Sequence, residues 1–159
     1  MTMNKRIDRA SRLINAPPDA IYHAFSEPGS MEQWLPPHGM TGTMLEFDFQ
    51  EGGHYKMRLT YKAPRGRPGK TSADSDEVVV HLRKLVTGKC IEQEGDFNSD
   101  DPAFAGTMRM IWTFEPKGER TCVSIRAENV PVGISQPDHL AGLNAFLENL
   151  AAYVERQRH

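Results

Sequence analysis

Six histidines, two cysteines and a scatter of carboxylates are the residues of this 159-residue chain that could do chemistry. Among the histidines, His38, His54, His81 and His139 stand out. No two fall at ligand spacing on one helix, and there is neither an HExxH pattern nor a Cys/His cluster, so no metal site and no cofactor are predicted. His81 lies in a strand and would titrate near neutrality if it faced an interior. His139 follows Asp138 at the start of a helix, where packing or capping is the ordinary role and the helix dipole favours a carboxylate. Glu92, Glu94 and Asp96 alternate along one strand, and Glu46 and Asp48 along another. Paired carboxylates do acid–base work when one is desolvated. A carboxylate row on a half-exposed sheet is more simply its solvated side, and that is the reading adopted. No GxSxG elbow occurs, and no serine or cysteine has a histidine at a telling spacing, so nucleophilic catalysis has no positive signal. The run Gly66-Arg67-Pro68-Gly69-Lys70-Thr71 imitates a phosphate loop. Pro64 occupies the position of its first glycine, however, and strand-like Val78-Val79-Val80 follows instead of a helix. The stretch 62–75 is read as a rim loop over a cavity mouth.

A larger group of residues is apolar. Trp34, Tyr55, Met57, Met108, Met110 and Trp112 come from a hinge and from strands, and Leu143, Phe146, Leu147 and Leu150 from one helix. Methionine and aromatic side chains suit an adaptable apolar pocket. His81, Arg109 and His139 would supply the few polar groups that orient a ligand there.

The elements that position these residues follow from hydrophobic period. Residues 5–14, with Ile7, Leu13 and Ile14, read as a strand ending at Ala16-Pro17-Pro18. Ile21, Tyr22 and Phe25 recur at helical spacing over 19–25, and a second short helix covers 30–34, ended by Pro36-Pro37. Leu45, Phe47 and Phe49 alternate with acids, and Gly52-Gly53 turns the chain back into Tyr55, Met57, Leu59 and Tyr61. Strands follow over 77–86 and 90–97. After the turn Asp100-Asp101-Pro102, further strands carry Met108, Met110, Trp112 and Phe114, then Val123, Ile125 and Ala127. Ser135 with Asp138 is an S-x-x-D capping variant, and the apolar residues beyond it repeat at three and four through Val154. The expected fold is α+β: a curved antiparallel sheet of six to seven strands wrapped around one long C-terminal helix, with two short helices after the first strand.

Bulk properties bound the function classes. The length fits one domain over 1–159, with an ordered core of about 7–155. A net charge of −2 with 25% charged residues argues against a nucleic-acid partner. The N-terminus is polar, no run approaches a membrane span, and Cys90 and Cys122 show no CxxC spacing. A cytoplasmic protein without a membrane partner is expected, and a homodimer is compatible with its size.

The joints between elements carry a resemblance. Ile14-Asn15-Ala16-Pro17, Trp34-Leu35-Pro36-Pro37 with Gly39-Met40, Phe47-Asp48-Phe49 leading to Gly52-Gly53-x-Tyr55, and Gly69-Lys70-Thr71 appear in order. Asp101-Pro102-Ala103-Phe104-x-Gly106-Thr107-Met108, Ala127-Glu128-Asn129-Val130-Pro131 running into Gly133-Ile134, and Asp138-His139 with Gly142-Leu143 and Leu150-Ala151 complete the set. Over about Ile7 to Glu155 the chain resembles the SRPBCC (START-like, Bet v 1-like helix-grip) superfamily, in its bacterial branch named for the activator of heat-shock-protein ATPase. It departs at His81-Leu82, where relatives often carry Arg-Phe, and at Leu143, where many place tryptophan after glycine. The resemblance implies a cavity between sheet and helix. It leaves three readings open: a binder of a small hydrophobic molecule, a cyclase or hydrolase using the same cavity, or a chaperone-activator-like interaction module.

Overall fold

Period-two alternation builds most of the molecule, and two prolines start its short helices. The computed structural model describes residues 6–37, 39–61, 75–97, 106–131 and 133–156. His38, most of the 62–75 loop, the 100–102 turn and the resemblance stretch 101–105 lie outside these residues. The elements run β1 (Ile7–Ile14), α1 (Pro18–Ser26), α2 (Pro28–Trp34), β2 (Met40–Phe47), β3 (His54–Tyr61), β4 (Ser75–Val86), β5 (Cys90–Phe97), β6 (Gly106–Lys117), β7 (Arg120–Glu128) and α3 (Gln136–Arg156). The strands form one seven-stranded antiparallel sheet in the order β1-β7-β6-β5-β4-β3-β2. The curved sheet and long C-terminal helix are the helix-grip arrangement expected from the sequence. Among the described residues, no helix is long and apolar enough to cross a membrane.

Proline at the first turn of α1 and of α2 sets φ where no intrahelical N–H bond is needed. Ser135 caps α3, its Oγ accepting from the Asp138 N–H at 3.3 Å. Leu143, Leu147, Leu150, Ala151 and Val154 are the buried stripe of that helix. Each fully buried leucine contributes about 2 kcal/mol.

Two strands differ in detail from their expected form. β2 begins five residues before Leu45, because Met40, Gly42 and Met44 already alternate inward. A bulge between Met44 and Glu46 then shifts the phase. Phe47 stays inside, whereas Leu45 is left 38% exposed. A Cβ on Gly42 would come within 2.7 Å of Pro36 and 2.9 Å of Met57, so a larger residue at the α2–β2 corner would have to displace those side chains. In β1 the apolar markers Ile7 and Leu13 are exposed and Asp8 is buried, its in-phase companions being Ala10 and Ile14.

The sheet therefore has two unlike faces. Tyr55, Met57, Leu82, Ile91, Met110, Trp112, Val123 and Ile125 point inward with α3. The outer face carries cross-strand ion pairs: Lys56 and Arg58 with Glu77, Arg83 with Glu94, and Arg109 with Glu92. Cys90 and Cys122 are free thiols, on strands that are not neighbours in the sheet.

Candidate ligand-binding site

The inner face is not uniform. Beside α1 and α2 it is closed by aromatic rings in edge-to-face contact: Phe25 lies 4.9 Å from both Trp34 and Trp112, and those two indoles are 6.0 Å apart. The Trp34 indole N–H donates to the Ala24 carbonyl at 2.9 Å, which locks α2 against α1. Toward the other end of the sheet the cover thins. Leu59 on β3, Val78 and Val80 on β4, Met108 on β6, and Leu140 and Phe146 on α3 are only half-buried, although all pack against the core. Gly95, paired with both Val80 and Met108, lies among them. A Cβ there would meet, among described residues, only the Val79 carbonyl at 3.9 Å. No described side chain packs closely against Gly95 on that side.

Three polar groups interrupt that apolar surface. Tyr55 (3% exposed) and Gln93 (8%) share a side-chain hydrogen bond, and burial pushes the Tyr55 phenol well above its ordinary value of 10.0. The phenol therefore keeps its proton at neutral pH. The third group is the Trp112 indole N–H, fully enclosed and without an acceptor among the described residues. An unmet buried donor costs about 1–3 kcal/mol, so an acceptor arriving there would be strongly favoured. Register explains the grouping: Gln93 pairs with Met110, and Trp112 is the next inward residue on β6.

A separate polar cluster fixes α3 to β1. The enclosed Asp8 carboxylate accepts from His139 Nδ1 at 2.6 Å, from Gln136 Nε2 at 3.1 Å and from Arg6, whose Nη2 lies at 2.9 Å. Arg6 also donates to the Ile134 carbonyl at 2.6 Å. Desolvation acts to raise the Asp8 pKa, but hydrogen bonds from Arg6, His139 and Gln136 and the Arg6 charge outweigh it, holding the group at about 2. The carboxylate is thus ionised at neutral pH, so His139 Nδ1 must carry the shared proton. His139 precedes Leu143 by one helical turn and lies on the same side of α3.

Of the residues singled out in the sequence, Trp34, Tyr55, Met57, Met108, Met110, Trp112, Leu143, Phe146, Leu147 and Leu150 come together on the inner side. Trp34 and Trp112 belong to its packed end, and Met108 and Phe146 to its open end. Arg109 and His81 are corrections. Arg109 alternates with buried Met108, Met110 and Trp112 and is bound to Glu92 on the outer face. His81 pairs with His54, opposite in phase to buried Tyr55, and its ring lies tilted beside that of His54, 6.3 Å between centroids, also outside. The inner-face groups that the sequence reading missed are Gln93 and Asp8. Gln93 was legible from its phase with Ile91. A groove of about 500 Å³ also opens between the α2–β2 corner and α3, lined by Pro36, Met40, Gly42, Asn149 and Ala152 among others. Among the described residues, no group of three metal-ligating side chains is found.

Comparison with known proteins agrees with this architecture. A protein from Chromobacterium violaceum of known crystal structure is 31% identical, over 94% of this chain and 96% of its own, with a TM-score of 0.78. The AHSA1 protein of Silicibacter pomeroyi is 15% identical over 96% of this chain and 100% of its own, at a TM-score of 0.74. An AHSA1-like protein from Aeromonas hydrophila is 14% identical over 95% and 96%, at 0.73. At such identities the last two speak for the fold alone. No curated protein matches the chain. The family model described as Activator of Hsp90 ATPase homolog 1-like protein matches residues 15–155, and the chain belongs to that family, within the helix-grip SRPBCC superfamily.

Proposed function

We propose that the domain binds a small hydrophobic molecule carrying at least one hydrogen-bond acceptor, held on the inner face of the sheet beneath α3. The observations that carry this reading are the half-buried set around Gly95 and, two inward positions beyond Met108 on β6, an enclosed indole N–H with no acceptor among the described residues. Affinity would come from apolar burial at about 25 cal/mol per Å², less ordering costs. Orientation would come from the Trp112 N–H and the Tyr55–Gln93 pair. The chain has two tryptophans, hence two indole N–H resonances. Titration with an apolar ketone should move the Trp112 resonance while that of Trp34, already bonded to Ala24, stays in place. Shifts confined to residues of the outer face would refute the proposal.

A second reading is favoured by the Asp8–His139 pair. A histidine whose Nδ1 is committed to an ionised carboxylate presents Nε2 as a base, so the cavity could support proton abstraction from a bound ligand. In that case His139→Gln would abolish turnover while leaving ligand affinity unchanged. Equal loss of both would make the pair a docking contact only.

A further inference from the structure

On the outer face the ion pairs concentrate in the middle of the sheet and thin out at the β1 end. On β3, β4 and β6 the cations Lys56, Arg58, Arg83 and Arg109 each hold a carboxylate. At the β1 end, Arg9 stands directly opposite Arg126 across the β1–β7 ladder. Like charges in that position repel, with partner Cα atoms about 4.5–5.5 Å apart. Arg126 is held by Glu128, its Nε at 2.9 Å from Oε2, which leaves its terminal nitrogens available. Arg9 has no acidic partner among the described residues.

The next outward row along the same strands is Ser11, paired with Ser124, which is paired with Thr113. These three hydroxyls and both arginines line a groove of about 330 Å³ whose described lining includes no acidic side chain. Its floor is Ile111, which is 7% exposed yet lies outside the interior cluster, screened by the groove walls. Two planar guanidinium forks, three hydroxyl donors and an apolar floor match one chemistry. The arginines and hydroxyls suit the oxygens of a dianion, and the isoleucine suits a carbon substituent attached to it.

We propose that this outer groove between β1, β7 and β6 binds a phosphate monoester of a small organic molecule, at a site separated by the sheet from the inner-face cavity and independent of it. The phosphate relieves the Arg9–Arg126 repulsion, and its organic part lies on Ile111.

Phenyl phosphate titrated into the intact chain at low salt, followed by calorimetry and amide chemical shifts, tests the proposal. Saturable binding is expected, with shifts at Ser11, Thr113 and Ser124. Arg9→Gln and Arg126→Gln should each weaken it about tenfold. Arg109→Gln, a cation of the same face outside the groove, should leave it unchanged. Inorganic phosphate should perturb the same amides with lower affinity. Because Arg9→Gln removes a repulsion, the melting temperature of the unliganded protein should stay level or rise. The proposal is overturned by a lack of saturation or by equal sensitivity to Arg109→Gln. A lowered melting temperature in Arg9→Gln would overturn it too, giving Arg9 a role in the fold. Equal affinity for inorganic phosphate would overturn the ester and leave a site for the free ion.

Discussion

The concave and convex faces of the sheet use the same strands and treat polarity in opposite ways. On the convex face charge is abundant and each pair is nearly neutral in energy, because water screens it and can replace either partner. On the concave face polar groups are few, enclosed and partnered, with the Trp112 N–H as the exception among the described residues. A charge on the outside therefore says little about function until it lacks a partner, as Arg9 does among the described residues. A polar atom on the inside is informative because burial makes its satisfaction compulsory.

The largest expected effect comes from removing the enclosed charge. Asp8→Asn leaves Arg6 and His139 facing an amide where a carboxylate held both, and should cost roughly 3 kcal/mol in urea denaturation. Loss below 1 kcal/mol would mean that the α3–β1 junction is wetter than its geometry implies, and the contrast between the faces would narrow.

The same residue predicts a pH dependence. Its folded pKa of about 2 lies below the ordinary 3.8, so the stabilisation is complete above pH 4 and is lost as pH falls through the folded value. The wild type should shed about 2 kcal/mol between pH 4 and 2, and Asp8→Asn should lack this component. A slope shared by both proteins would assign the acid sensitivity to other carboxylates.

Filling the concave face should affect binding more than folding. Gly95→Leu projects a side chain toward Val80 and Met108, where the described residues leave room. Stability should change by less than about 1 kcal/mol, since strand propensity improves as volume is added. Affinity for an inner-face ligand should fall at least tenfold, about 1.4 kcal/mol. Unchanged affinity would move the ligand away from this end of the sheet, toward the groove at the α2–β2 corner.

How much of this was readable from residues alone depended on whether the sequence pattern distinguishes the two faces. Strand order, the paired short helices and the capped α3 were legible because alternation, Pro17-Pro18 and Ser135–Asp138 are local signals. Asp8 was hidden because its partners His139 and Gln136 lie 131 and 128 residues away. An acid in an exposed-looking strand also resembles solvated surface. His81 was hidden because Val78, Val79, Val80 and Leu82 surround it without period, so its face is decided by pairing with His54. The thin cover around Gly95 depends on how α3 lies over the strands, a tertiary arrangement that no local pattern encodes.

Arg109 needed no tertiary information, since the alternation of Met108, Met110 and Trp112 already assigns it to the convex side. Its ion pair with Glu92 is the smallest effect expected: a double-mutant cycle of Arg109→Ala and Glu92→Ala should give a coupling of about 0.2–1 kcal/mol, shrinking as salt is added. Ligand affinity on the concave face should not change in Arg109→Ala, because the sheet separates the two. A salt-independent coupling well above 1 kcal/mol would mean that the pair is desolvated and that something covers the outer face in solution. A loss of inner-face affinity would mean that β6 presents the other phase, which would exchange the faces of Met108 and Met110 as well, since a strand cannot turn one residue inward without turning its neighbours out.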